Sequence, residues 1–131
     1  MDSSIKELSN YRFEQSKEML YAAEENLKIS QYKTSLNRSY YAVFHAIRSV
    51  NILEEFDSSK HSGVIAFFNK NFLKTEKLDK NLSKIIKTTY YLREKSDYDD
   101  FFIASKEDAE KQLDSARQFV IAVEEYLKNR I

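Results

Sequence analysis

Proline is absent from this chain and glycine occurs once, at Gly63. Tight turns and sheet corners draw heavily on those two residues, whereas the abundant Leu, Lys, Glu, Ala and Ser suit helix interiors and caps. The expected fold is all-α, an up-and-down bundle of about five helices. At 131 residues the chain is expected to form a single domain, 1–131, long enough to bury a core without a disulfide or a metal. It has no cysteine, which fits a reducing compartment. The start Met1-Asp2-Ser3-Ser4 shows no basic segment followed by an apolar run, and no stretch approaches a membrane-spanning length. A cytoplasmic protein without membrane contact is expected. With 21 basic and 21 acidic side chains, a broad electrostatic grip on nucleic acid is not expected, and any RNA contact has to come from a local pocket.

Apolar spacing and cap residues divide the chain into its helices. Ser4-Ile5-Lys6-Glu7 reads as a capping box for a first helix running to about Lys28, with Leu8, Phe13 or the stem of Arg12, Met19, Leu20, Ala23 and Leu27 inward. A break at Ile29-Ser30-Gln31 leads into a second helix, from about Gln31 to Glu54, antiparallel to the first. Its small residues Ser39, Ala42, Ala46 and Ser49 form a ridge for close helix contact. Phe56-Asp57-Ser58-Ser59 stops that helix and caps a third, which opens on Lys60-His61-Ser62-Gly63 and buries Val64, Ile65, Phe67, Phe68 and Phe72. A fourth helix spans Asp79 to Lys95, and Ser105 caps a fifth with a regular stripe from Ala109 to Leu127. Residues 96–104 read as a loop whose apolar end packs on the bundle. Nine Tyr and nine Phe are many for so small a helical protein, and the tyrosine hydroxyls need partners or water at edges or interfaces.

The second helix carries the most informative pattern. Leu36, Tyr40, Val43, Phe44 and Ile47 make its buried stripe, while Arg38, Tyr41, His45 and Arg48 line up on roughly the opposite side. A solvated face explains the two arginines, and a polar cleft or a dimer seam explains all four. Both readings stand on the sequence.

One glycine removes glycine-loop chemistry, and zero cysteines remove thiol chemistry. His45 and His61 have no ligand partners at metal spacing, so neither a metal nor another cofactor is expected. Phosphate-directed chemistry fits better: cleavage of RNA by its own 2′-hydroxyl needs a base near neutrality and a cation for the pentacovalent phosphate, which histidine and arginine supply. Arg38 and His45 lie two turns apart, about 10 Å of rise, too far for one phosphate, so another helix or a second copy has to complete a site. Arg93, near the end of the fourth helix, is the second arginine candidate; complementing the helix dipole and pairing with Asp97 is the plainer explanation for it. His61 has a plainer explanation too, as a packed or hydrogen-bonded residue at a helix start.

Three blocks in order resemble the small stand-alone HEPN proteins: Asn37-Arg38-Ser39-Tyr40-Tyr41-Ala42-Val43-Phe44-His45-Ala46, Ser59-Lys60-His61-Ser62-Gly63-Val64 and Leu92-Arg93-Glu94-Lys95-Ser96-Asp97-Tyr98. The resemblance implies a helical bundle with a HEPN-like four-helix core, commonly a homodimer. It also implies a metal-independent ribonuclease acting as a toxin beside a minimal nucleotidyltransferase antitoxin. Active members carry an arginine, a polar residue directly after it, and a histidine four to six positions beyond the arginine. Arg93 and Glu94 match the first two; Asp97 and Tyr98 stand where the histidine falls. In some members the antitoxin adenylylates a tyrosine two residues after that histidine, and Tyr98 stands at a different spacing. The resulting expectation is a site in which Arg93 holds phosphate, His45 or His61 moves the proton and Asp97 orients them, with Asn37, Arg38, Tyr41, Glu94 and Tyr98 as binding residues. The alternative is a non-catalytic module that binds a nucleotide or a nucleotidyltransferase partner.

Overall fold

The structure, a computed structural model, describes residues 2–130. Five α-helices follow one another: α1 (Ser3–Lys28), α2 (Tyr32–Asn51), α3 (His61–Phe68), α4 (Leu82–Tyr98) and α5 (Lys106–Arg130). A 3-10 turn, Ile52–Glu54, extends α2, and a wide π turn, Asn69–Leu73, extends α3. No strand occurs among the described residues, so the helical bundle expected from the sequence is the fold observed.

Asp2, not Ser4, caps α1: its Oδ1 accepts from the Ser4 amide and from the Ser4 hydroxyl, both at 2.8 Å. A carboxylate there satisfies an orphan amide and meets the positive end of the helix dipole. At the other end the Gln31 amide reaches Asn26 O and the Ser30 amide reaches Leu27 O, with Ser30 left-handed at φ 62°. That pairing closes the helix and turns the chain back. Glu55 and Glu76 take the other left-handed positions, so glycine is not used for any of them. Gly63 serves close approach instead, since a Cβ there would lie 3.1 Å from Ser58 Oγ.

α2 is the central helix and packs on the other four. Its contact with α1 repeats every seven residues on each strand of the hairpin, running in opposite directions. Ser9 donates to Ser49 O at 2.7 Å, Ser16 to Ala42 O at 2.6 Å and Ser35 to Ala23 O at 2.9 Å. Each hydroxyl is buried and would cost roughly 1–3 kcal/mol if left unpaired. Small side chains let the backbones approach, and the hydroxyls hold the register. Ala42 and Ser49 of the ridge of small residues read from the sequence lie at this contact. Tyr40, Val43, Ile47 and Val50 of α2 then meet Phe68 and Phe72 and the Ala116, Phe119 and Val123 stripe of α5 in one core.

α4 departs from its expected bounds. It starts at Leu82 and runs on through Ser96, Asp97 and Tyr98, which the sequence suggests are loop. Asp97 at a helix C-terminus opposes the dipole, but Arg93 lies one turn back and draws it in, Nε to Oδ2 being 3.0 Å. The apolar end of the following segment does not pack as expected: Phe101 is 94% exposed and Ile103 86%, and Phe102 and Ala104 are half-buried. No helix of the described residues is long and apolar enough to cross a membrane.

Candidate functional site

Arg38, Tyr41, His45 and Arg48 are all half-buried, so the polar line of α2 is not a freely solvated face and forms one wall of the candidate site. Helix α4 supplies the opposite wall. The Arg93 guanidinium lies between the two, with its Nη2 donating to Tyr41 Oη at 2.9 Å and its Nη1 to Glu94 Oε1 at 2.9 Å. Its Nε approaches Asp97 Oδ2 without hydrogen-bond alignment, so that contact is Coulombic. Three tyrosine rings surround the guanidinium carbon, at 5.4 Å for Tyr40, 5.3 Å for Tyr41 and 5.6 Å for Tyr98. Such rings attract a cation through their quadrupole. Burial works against the charge on Arg93, yet Tyr41, Asp97, Tyr98 and Glu94 outweigh it and raise the pKa above the ordinary value.

Asn37 ties the two walls together by donating to Asp97 Oδ2 at 2.9 Å, and Arg38 donates to the other end of the same amide. His61 enters from the start of α3. Its Nδ1 lies 2.9 Å from Tyr40 Oη, and its ring stacks on Phe44 with centroids 4.0 Å apart. Arg93 and His61 therefore flank the same tyrosines, Tyr40 and Tyr41. Burial lowers the His61 pKa, Arg93 and Arg48 lower it further and Glu94 opposes them. Tyr40 shifts upward, chiefly by burial, so its phenol keeps its proton.

His45 stands one turn further along α2, with its ring 6.1 Å from that of Tyr41. Its Nδ1 is buried without a partner. Burial pushes its pKa down to about 4, with Arg48, Arg12 and His61 adding to the effect. It belongs as much to a second cluster, in which Arg12 of α1 donates to Asp57 Oδ2 at 2.8 Å and Arg48 reaches Asp57 at 3.4 Å. Burial would raise the Asp57 pKa, but the Arg12 hydrogen bond, the Ser58 amide and the two guanidinium charges hold it below its ordinary value.

Of the residues picked from the sequence, Asn37, Arg38, Tyr41, His61, Arg93, Glu94, Asp97 and Tyr98 converge, and His45 lies at the margin. Tyr40, Arg12 and Asp57 were missed as polar participants. Tyr40 reads as core because it is core, 1% exposed; only its hydroxyl reaches the cleft. Arg12 reads as part of an apolar stripe, and a buried arginine in such a stripe is the signal that a carboxylate must come to it.

The profile of the HEPN domain matches residues 9–126. A Methanocaldococcus jannaschii protein named "Putative toxin" is 36% identical over 106 residues, covering 80% of this chain and 72% of its own. A Thermotoga maritima protein named "UPF0332 protein" is 31% identical over 113 residues, with 86% of each chain covered. A crystal structure of a Thermus thermophilus protein superposes with a TM-score of 0.75, over 90% of this chain and 97% of its own, at 19% identity, which is a likeness of fold.

Proposed function

Because this chain belongs to the HEPN domain family, we propose that it is a toxin-like member that cleaves RNA without a metal and pairs with a minimal nucleotidyltransferase. The observation that carries this reading is the seating of Arg93 from α4 on the tyrosines of α2, with His61 hydrogen-bonded to one of them. The name of the archaeal relative supports the toxin-like character.

In the proposed reaction the 2′-oxygen attacks the adjacent phosphorus, the bond from phosphorus to the 5′-oxygen breaks, and a 2′,3′-cyclic phosphate and a 5′-hydroxyl result. Neutral imidazole takes the 2′-hydroxyl proton, and the 5′-oxygen receives one as it leaves. His61 suits this exchange. The Tyr40 hydroxyl can donate or accept, so the Nδ1 contact survives in either tautomer and Nε2 is left for the substrate. Arg93 stabilises the charge on the pentacovalent phosphate, exchanging its Glu94 contact for a phosphate oxygen. A homodimer is part of the reading, because the marginal position of His45 leaves room for a group from a second copy.

A non-catalytic nucleotide- or partner-binding module is the second reading. It is favoured by the two carboxylates on Arg93, since Asp97 stands where an active member has its histidine. Incubation of purified protein with cellular RNA in EDTA decides between them. Cleavage to cyclic phosphate ends that falls on the order of 100-fold or more in Arg93→Ala and in His61→Ala supports the first. Equal behaviour of wild type and both variants removes it and leaves the second, which co-purification with a nucleotidyltransferase then tests.

A further inference from the structure

The charge balance of the whole chain hides a local excess. Residues 70–87 hold six lysines against only Glu76 and Asp79. Elsewhere Lys17, Lys28, Lys95, Lys106 and Lys111 each have a carboxylate three or four residues away in sequence, while among the described residues Lys6, Lys33 and Lys60 stand singly, without one within ion-pair distance. Lys80 pairs likewise with Glu76, but among the described residues Lys70, Lys74 and Lys87 have no carboxylate within ion-pair distance. These three are exposed, and with Lys80 they line one concavity of about 730 Å³ between the π turn after α3 and the start of α4.

A second concavity of about 350 Å³ continues it, since Ala66, Asn69 and Lys87 line both. Its floor is apolar, with Ile65 and Ile86, and its far end is Ser62 and Tyr90. Ser62 adjoins His61 in sequence, and the Tyr90 ring meets the Tyr40 ring edge-on at 5.7 Å. Along α4, Ser83, Lys87, Tyr90 and Glu94 recur at spacings of three or four and so share one face. The track from Lys87 to the Arg93 cluster is about 10 Å long.

We propose that this lysine-lined groove holds the phosphates of a single-stranded RNA flanking the bond presented to Arg93 and His61, with a base stacked on Tyr90. Ammonium groups over an apolar floor with an aromatic at one end match what a single strand offers, a charged backbone on one side and base faces on the other. The groove gives a locally basic site to a chain whose net charge is zero. An acidic protein segment would also meet the lysines, but it has no use for a ring at the end nearest the reacting groups. The inference rests on the RNA-cleavage reading for what lies at the end of the track.

The test is binding of a 2′-O-methyl oligoribonucleotide, which cannot be cleaved through its 2′-oxygen, followed by fluorescence anisotropy across a salt series. Lys70→Gln, Lys74→Gln and Lys87→Gln combined should reduce the slope of log affinity against log salt by about 2 and weaken binding on the order of 100-fold near 0.1 M salt. The corresponding arginine triple, which keeps the charge and reports on folding, should bind like wild type. Lys17→Gln, Lys28→Gln and Lys111→Gln combined, the same charge removed elsewhere, should change affinity less than about 3-fold. An unchanged slope in the groove triple, an equal loss in the second triple, no binding by wild type, or a lysine dependence for polyglutamate and not for RNA would each overturn the proposal. Binding through the lysines without cleavage of unmodified RNA would leave the groove standing and remove the catalytic reading alone.

Discussion

The polar line of α2 feeds two arginine clusters that are built in opposite ways. Around Arg93 the acceptors are in excess: one guanidinium faces Glu94, Asp97 and the Tyr41 hydroxyl. Around Asp57 the donors are in excess: Arg12 and Arg48 share one carboxylate, and Arg12 Nη1, Arg48 Nε and His45 Nδ1 are buried without partners. The first cluster can release its cation to a phosphate, because Asn37 still holds Asp97 and the Glu94 carboxylate is partly solvated. The second cannot lose its only anion without stranding Arg12, which is 6% exposed. Placement follows the same division. Asp57 lies in the segment that carries the chain from α2 to α3, and so the second cluster fixes where His61 begins.

Removing each anion in turn is the sharpest way to break this comparison. Asp57→Ala should cost about 1–3 kcal/mol in urea unfolding, less than the roughly 3–5 kcal/mol of a fully buried pair, because the Asp57 side chain is 44% exposed. Asp97→Ala should cost only about 0.5–1 kcal/mol, since Arg93 keeps Glu94 and Tyr41. Equal losses for the two variants would erase the distinction.

Acid should act on the donor-rich cluster next. The folded-state pKa of His45 is depressed, from 6.5 to about 4, so the unfolded chain binds a proton that the folded chain refuses. Its contribution to stability is complete above about pH 6.5 and is lost as pH falls towards 4. The shift sets a ceiling of about 3 kcal/mol, and solvent screening of a half-buried ring brings the expected loss to about 1–2 kcal/mol. Urea midpoints between pH 7 and pH 4.5 for wild type and His45→Gln measure it. Parallel decline in both proteins would show that His45 is not the group responsible. Asp57 adds a loss of the same sign at lower pH, present above its unfolded value and removed as pH falls through its depressed folded one.

How much of this was legible depended on distance along the chain. Absence of proline, cap residues, apolar spacing and the small residues Ser39, Ala42, Ala46 and Ser49 are local, and they predict the bundle and its first hairpin. The extension of α4 over Asp97 and Tyr98 was not legible, because acidic residues after Lys95 look like a helix end. What keeps that turn helical is Arg93 one turn back together with Asn37, sixty positions away from Asp97. Likewise Arg12 and Asp57 are separated by forty-five residues, and their meeting depends on how α1 and α2 cross. Phe101 and Ile103 show the converse error, since an apolar side chain wants burial but the chain has to offer it a surface. Arg93 could be singled out before the fold was known, but only the resemblance placed it with Asn37 and Tyr41.

The smallest expected effect bears most directly on what the acceptor-rich cluster is for. If Glu94 is a placeholder for a phosphate oxygen on Arg93 Nη1, Glu94→Gln removes a competing anion while leaving a side chain of the same size. The fold should tolerate this within about 0.5 kcal/mol, because the carboxylate is partly solvated. Affinity for a short uncleavable oligoribonucleotide should rise by roughly 3- to 10-fold, the scale of one partly screened like-charge contact. The same change made on Asp57 as Asp57→Asn should not raise affinity, since the anion it removes holds the scaffold and not the entrance to Arg93. A gain in the first variant without a gain in the second makes Glu94 the occupant of a phosphate position. A loss in the first variant would instead make Glu94 a ligand-orienting group, and the exchange proposed at Arg93 would have to be abandoned.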